Sequence, residues 1–305
     1  MWLRYGLYTC ICRTVWAIIK VTMERNVLLT IAYDGSTFHG WQKQPGERTV
    51  QGYLEQTMSR LFDKEILLSG TSRTDAGVHA MGQRASFKAD IGIPTDKIAL
   101  VVNNALCARE GSEGGRGGFA KSPIRILKAE EMPPEFHARF DSKGKEYIYK
   151  IRDGVADQQA GADRDMSLVF QRNYVYHVNE NLDVEARNAG AQYYVGEHDF
   201  KSFEASGGNP RETTVRTMRE AVVLRKPAAD QAAADPQDGN GVIEFHIKGD
   251  GFLYNMVRIM TGTLVEVGRG KIKPEEIKEI IEAKDREKAG HTAPPNGLYL
   301  AEIYY

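Results

Sequence analysis

Runs of β-forming residues recur along the chain, and the way they are connected constrains the fold most strongly. The runs are 27–33, 65–71, 83–89, 124–131, 145–151, 217–225, 242–249 and 297–305. Several of them are joined by loops that show no helical periodicity. Strands joined without a crossover helix pair antiparallel. The pattern therefore predicts an α+β protein with mainly antiparallel sheets backed by helices, and not a doubly wound parallel sheet.

Helical periodicity appears between these runs. Residues 49–62 carry Val50, Leu54 and Met58 at helical spacing, and residues 251–268 form a long apolar segment. Helices are also predicted over 95–106, 181–196 and 273–285, where Pro274 suits a first helical turn. These helices supply the layer that covers the predicted sheets.

The length of the chain allows two domains. With 305 residues, of which 42% are hydrophobic, the composition is that of an ordinary globular protein with a sizeable core. A new strand-rich segment begins near residue 135. We therefore predict an N-terminal α+β domain over 23–134 and a C-terminal α+β domain over 135–305.

Three segments stand apart from this pattern. Residues 1–22 contain no Asp or Glu and are interrupted by basic residues, which loosely resembles a transit peptide. The preferred interpretation is an upstream extension with Met23 as the true start. Segments 108–120 and 227–240 are low in complexity and are interpreted as inserted loops.

The composition also bears on location and cofactors. Cys10, Cys12 and Cys107 have neither disulfide-framework nor zinc spacing, which predicts a reducing, cytoplasmic location, and no segment resembles a transmembrane helix. The chain contains no P-loop, nucleophile-elbow serine, HExxH or EF-hand motif. We therefore expect no metal, nucleotide or other cofactor and no membrane partner.

The stretch GTSRTDAGVHAMGQ, residues 70–83, places Asp75 among small residues two positions after Arg73. A second polar anchor, Arg258, lies in the apolar segment YNMVRIMTG. Burying an arginine is costly unless an anion pairs with it, so Arg258 either pairs with a carboxylate such as Asp75 or lies on a polar stripe facing water. Tyr147 is likewise either functional or an ordinary strand aromatic.

Stretches along most of the chain resemble the tRNA pseudouridine synthase A (TruA) family. GTSRTDAGVHAMGQ is similar to the family's signature loop, and FHARFDSKGKEYIY to the segment that carries its substrate tyrosine. Further matches follow in order, and they are YDGSTFHGWQKQ, TVQGYLEQ, HDFKSF, TTVRT, GFLYNMVRIMTGTLVEVG and TAPPNGLYL. The resemblance extends from Met23 to Tyr305 and implies the pseudouridine synthase fold, with the active-site cleft between the two domains.

The resemblance also implies a reaction and its residues. The family isomerises uridine to pseudouridine in the anticodon stem-loop, at tRNA positions 38–40, without a cofactor. Asp75 matches the nucleophile, Tyr147 the tyrosine that stacks on the target base, and Arg258 the arginine that pairs with the nucleophile. Arg73 matches a residue that helps to extrude the nucleotide, and Arg139 is expected to contact phosphate.

The resemblance further implies a homodimer with a basic tRNA-binding cleft. Because the net charge is −1, cations must be concentrated on one face to bind RNA. Lys43, Lys143 and Lys145 are expected there together with Arg73 and Arg139.

Some points stay open in the sequence. Three routes are open for Asp75, which are attack on ribose C1′, attack on the pyrimidine ring and assistance of elimination to a glycal. Two other functions are an inactive tRNA-binding or chaperone relative and a nucleoside or glycoside hydrolase. A hydrolase would need a second carboxylate near Asp75.

Overall fold

A computed structural model describes residues 24–109, 122–154, 167–208, 212–226 and 241–305. These residues form ten strands and six α-helices. The strands are β1 (Arg25–Tyr33), β2 (Ser69–Gly70), β3 (His79–Ala89), β4 (Ile124–Met132), β5 (Gly144–Arg152), β6 (Tyr176–His177), β7 (Gly196–Asp199), β8 (Val215–Lys226), β9 (Val242–Gly249) and β10 (Leu298–Tyr304). The helices are α1 (Val50–Phe62), α2 (Thr95–Arg109), α3 (Ser167–Phe170), α4 (Val184–Gln192), α5 (Met256–Gly268) and α6 (Glu276–Ala283).

All ten strands belong to one sheet, in the order β4-β1-β3-β10-β5-β9-β8-β7, with β2 beside β3 and β6 beside β5. The pairings are antiparallel except β3 with β10 and β5 with β6. The α+β class predicted from the sequence is confirmed. The separate sheets expected for two domains are, however, joined, because β10 lies between β3 and β5.

The division at residue 134 stays a prediction. It falls between β4 and β5, and the last strand of the chain carries the sheet across it. Strand β10 therefore aligns the half of the sheet that carries the Asp75 loop with the half that carries Tyr147.

The helices cover the sheet through the apolar positions that predicted them. Helix α1 buries Val50, Leu54 and Met58, and the Thr49 side chain caps its start by accepting a hydrogen bond from the Gly52 N–H. Helices α1 and α2 pack together, and α2 packs on β4. Helix α4 packs on β8 and on α5, which is buried along most of its length. A single core cluster of buried apolar residues spans both halves of the sheet.

Some boundaries differ from the sequence-based predictions. Helix α5 begins at Met256 and not at residue 251, because Asn255 adopts a left-handed backbone conformation with φ of 58°. The predicted strand 65–71 is reduced to Ser69–Gly70, and α2 continues to Arg109.

Parts of the chain lie outside the described residues. They include residues 1–22 with Met23, the predicted insertion at 227–240 and most of the one at 108–120. Among the helices that are described, none combines the length and apolar character needed to cross a bilayer.

Candidate active site

A cleft of about 980 Å³ brings all five predicted site residues together. Arg73 and Asp75 come from the loop before β3, Arg139 from the turn before β5, Tyr147 from β5 and Arg258 from α5. Because Tyr147 and the Asp75 loop lie on opposite sides of β10 in the sheet order, the β10 pairing fixes how they face each other.

Small residues in the loop allow close backbone packing beneath Asp75. The Trp41 N–H donates to the Thr74 carbonyl over 3.0 Å, and a Cβ at Gly40 would lie 2.5 Å from that carbonyl oxygen. The hydroxyls of Thr74 and the buried Tyr33 are 2.7 Å apart. Gly77 has φ of 78°, a conformation that other residues rarely adopt. The Gly77 N–H donates to the Phe38 carbonyl over 3.3 Å, so the loop is held both before and after the carboxylate.

Gln83 fixes the beginning of the same loop. Its fully buried amide donates to the Ser72 carbonyl over 2.6 Å and accepts from the Ser72 N–H over 3.2 Å. Buried polar groups normally have partners, and here two of them are the backbone groups of Ser72 in the Asp75 loop, while the Arg84 N–H donates to the same amide oxygen over 3.1 Å. The sequence analysis did not select Gln83, although it is the last residue of the stretch that drew attention to Asp75.

Arg258 faces Asp75 and does not lie on a solvent-facing stripe. Its Nη1 is 3.7 Å from Asp75 Oδ2, which is an ion pair longer than a direct hydrogen bond. Its Nε donates to the Ala293 carbonyl over 2.7 Å, and its Nη1 donates to Asn255 Oδ1 over 2.6 Å. The left-handed Asn255 at the start of α5 thus orients the guanidinium, a role that the sequence did not predict.

The Asp75 carboxylate is partly desolvated but not saturated by donors. Its side chain is 30% exposed. Burial raises the pKa of Asp75 above its ordinary value, and the positive charge of Arg258 opposes that rise. Among the described residues, Arg258 is the only cation paired with it. An ionised carboxylate with free lone pairs is suited to act as a nucleophile.

Tyr147 lies deep in the cleft with a neutral hydroxyl. Burial raises its pKa to about 12. Its hydroxyl is 2.9 Å from Ser72 Oγ, to which Lys145 Nζ donates over 3.4 Å. The edge-to-face ring of Phe252, 5.0 Å away between centroids, supports the tyrosine ring. The ring is therefore held in position beside the Asp75 loop.

The cleft is strongly cationic although the chain is nearly neutral. Among its described lining residues, Asp75 is the only acid, against the five cations Arg73, Arg139, Lys145, Arg216 and Arg258. Such a distribution attracts a polyanion.

Two of the lysines expected at the cleft do not line it. Lys43 pairs with Glu55 over 3.1 Å and lines a different pocket, and Lys143 is not among the lining residues. Arg216 was not selected from the sequence, although it lies within the TTVRT motif. Within the described part of the chain, no cluster of three His, Cys, Asp or Glu side chains suits a metal ion.

Comparisons with known proteins identify one family. A family model described as tRNA pseudouridine synthase matches residues 29–141 and 191–305. "tRNA pseudouridine synthase A 2" from Clostridium tetani is 41% identical over 93% of the chain and 100% of its own length. The proteins named "tRNA pseudouridine synthase A" from Acetivibrio thermocellus and Caldicellulosiruptor bescii are each 40% identical over 92% of the chain and 100% of their own lengths.

Proposed function

Since the chain belongs to the tRNA pseudouridine synthase family, we propose that it isomerises uridine to pseudouridine in tRNA with Asp75 as the nucleophile. The observation that carries this assignment is an accessible carboxylate that, within the described part of the chain, accepts no direct hydrogen bond and is the only acid among the cations of the cleft. The proposed site of modification is the anticodon stem-loop, at tRNA positions 38–40.

The reaction conserves atoms and electrons. The bond between uracil N1 and ribose C1′ breaks, the base turns, and a bond forms between C5 and C1′. The proton on C5 is lost and N1 gains one. Asp75 attacks the nucleoside and is released at the end, so that it is regenerated in each cycle.

Tyr147 and Arg258 have supporting roles in this proposal. The Tyr147 ring provides a surface for the target base, and its raised pKa keeps the hydroxyl neutral beside the charged carboxylate. Arg258 holds Asp75 in place and favours its ionised form. Arg73 and Arg139 are proposed to bind the RNA backbone, because both are exposed cations at the cleft.

A tRNA must reach the cleft with its target nucleotide extruded from the stem. We propose that two copies of the chain form a homodimer in which the cationic clefts bind one tRNA. The proposed location is the cytoplasm, where tRNA is modified and thiols stay reduced.

A hydrolase is less consistent with the cleft. Glycoside hydrolysis requires two carboxyl groups at roughly 5–10 Å from each other. Among the described lining residues Asp75 has no second acid beside it.

The test uses the wild-type chain and tRNA tritiated at uracil C5. We expect tritium to be released to water without free uracil, and pseudouridine to appear in the digested tRNA. Release of uracil would indicate a hydrolase, and binding without either product would indicate an inactive relative.

A further inference from the structure

An exposed aromatic side chain lies beside the cationic cleft and has no role in the proposed chemistry. Phe140 is 75% exposed, which makes it the most exposed large apolar side chain in the described residues. It follows Arg139, which lines the cleft. A single exposed apolar side chain is ordinary on a protein surface, so the argument for Phe140 depends on how its turn is held and on what surrounds its ring.

The turn that carries Phe140 is rigid. The His137 carbonyl accepts from the Phe140 and Asp141 N–H groups over 3.1 Å each. The Asp141 carboxylate accepts from the His137 N–H over 2.8 Å, and His137 Nδ1 accepts from the Arg139 N–H over 3.1 Å. Four hydrogen bonds therefore hold residues 137–141 in one conformation.

The turn is also anchored to the catalytic loop. Ala138 is fully buried, and its carbonyl accepts from the hydroxyls of Thr71 and Tyr305 over 2.9 Å each. Thr71 itself lines the cleft, four residues before Asp75. The turn thus presents Arg139 and Phe140 at a fixed position relative to the site of the reaction.

The surroundings of the Phe140 ring suit a nucleic-acid base. The ring of His137 packs on it with centroids 4.4 Å apart, and the Arg139 guanidinium is 5.8 Å from the ring centroid. Three quarters of the side chain still remains open. Aromatic rings beside cations are the usual platform for unpaired bases, which stack with about 1–3 kcal/mol per base.

Building on the proposed function, we propose that Phe140 is a stacking platform for an unpaired base of the tRNA, separate from the target uridine bound against Tyr147. Arg139 neutralises a phosphate next to that base. Stacking here fixes the register of the RNA, so that the target nucleotide enters the cleft while its neighbour is held outside.

The test measures affinity for tRNA across a salt series with the full chain and its variants. We expect Phe140→Ala to weaken binding about 5- to 150-fold with an unchanged salt slope, because stacking releases no counterions. Phe140→Tyr should retain near wild-type affinity. Arg139→Ala should reduce the magnitude of the slope of log affinity against log salt by about one, as expected for one lost phosphate contact.

A matched control comes from Phe170, which is 68% exposed and does not line the cleft. Phe170→Ala should leave the affinity unchanged. If Phe140→Ala behaves like Phe170→Ala, the stacking platform is refuted, whereas the proposed function still stands if tritium is released. If the wild-type chain neither binds nor modifies tRNA, the proposed function itself fails.

A direct readout is available from Phe140→Trp. Stacking of a base on the new indole should quench its fluorescence when tRNA is added, beyond any change seen in the wild-type chain. Light scattering on Phe140→Ala provides a further check. A change in its association state relative to wild type would assign Phe140 to a contact between copies and overturn the proposal.

Discussion

Two aspartate–arginine pairs in this protein have opposite designs. Asp153 accepts from Arg225 over 2.7 and 2.9 Å and from the Leu182 N–H over 2.8 Å, and its side chain is only 1% exposed. Asp75, in contrast, makes a single ion pair with the described residues, at 3.7 Å, and its side chain is 30% exposed. The first carboxylate is saturated with donors, and the second keeps its lone pairs available.

The difference separates a structural pair from the pair that we propose to be reactive. Saturating a buried carboxylate with short hydrogen bonds offsets its desolvation and fixes local structure. Short hydrogen bonds to the Asp75 carboxylate would lower its reactivity as a nucleophile. Arg258 instead donates its short hydrogen bonds to Ala293 and Asn255 and acts on Asp75 mainly through charge.

The largest expected effect on stability is at the saturated pair. Asp153→Asn removes the charge that faces Arg225 and the buried Arg187, whose pKa burial lowers to about 10 against the attraction of Asp153. Because Arg225 loses its ion pair and the buried Arg187 loses the attraction of that charge, the free energy of unfolding should fall by about 3–5 kcal/mol. Urea unfolding at neutral pH measures this. A loss in the free energy of unfolding below about 1 kcal/mol would show that the Asp153–Arg225 pair is not structurally more important than the Asp75–Arg258 pair.

A smaller effect on stability and a large one on rate are expected at the reactive pair. Arg258→Met should reduce the single-turnover rate by about 10²-fold, as for the loss of one electrostatic partner in a partly desolvated site. It should also move the acid limb of the pH–rate profile to higher pH, because Arg258 opposes the rise in the pKa of Asp75. Unfolding measurements on the same variant should show a loss of only about 1–2 kcal/mol. An acid limb at the wild-type pH would contradict the charge pairing.

The smallest effect is the stability of Asp75→Asn. Because the pKa of Asp75 is raised by folding, its contribution to stability is full below the unfolded pKa of about 3.9 and is lost as the pH rises through the folded value. Above the folded pKa the ionised side chain therefore costs stability. Asp75→Asn should be neutral or stabilising by less than about 1 kcal/mol, whereas the same substitution at Asp153 destabilises. If Asp75→Asn lowers the free energy of unfolding at pH 7 by more than about 2 kcal/mol, Asp75 has a structural role like that of Asp153.

Local sequence patterns predicted the elements well where a cap or an apolar stripe marks them. The helix predicted over 49–62 matches α1 because Thr49 caps it and its buried positions follow one face. The start of α5 was missed by five residues because Asn255 adopts a left-handed backbone conformation that interrupts the apolar segment. An apolar stripe carries no information about the backbone conformation of a single residue within it.

Long-range pairing was not predictable from the residues alone. Strand β10 joins β3 in parallel with Tyr299 opposite His79, and this pairing merges the two expected sheets. Spacing also left the orientation of Arg258 open, and family resemblance was what connected it to Asp75. Gln83 and Arg216 were overlooked because a single polar residue in a strand has no periodic signature.

The central claim is that Asp75 carries out the chemistry. Its most direct test is single-turnover release of tritium from uracil C5 by Asp75→Asn and Asp153→Asn, both under conditions in which they are folded and bind tRNA. The prediction is that Asp75→Asn binds tRNA but releases label at least about 10⁴-fold more slowly than wild type, as expected for loss of a nucleophile. Asp153→Asn should react near the wild-type rate. Turnover by Asp75→Asn within tenfold of wild type, in a preparation free of host enzyme, would contradict the account.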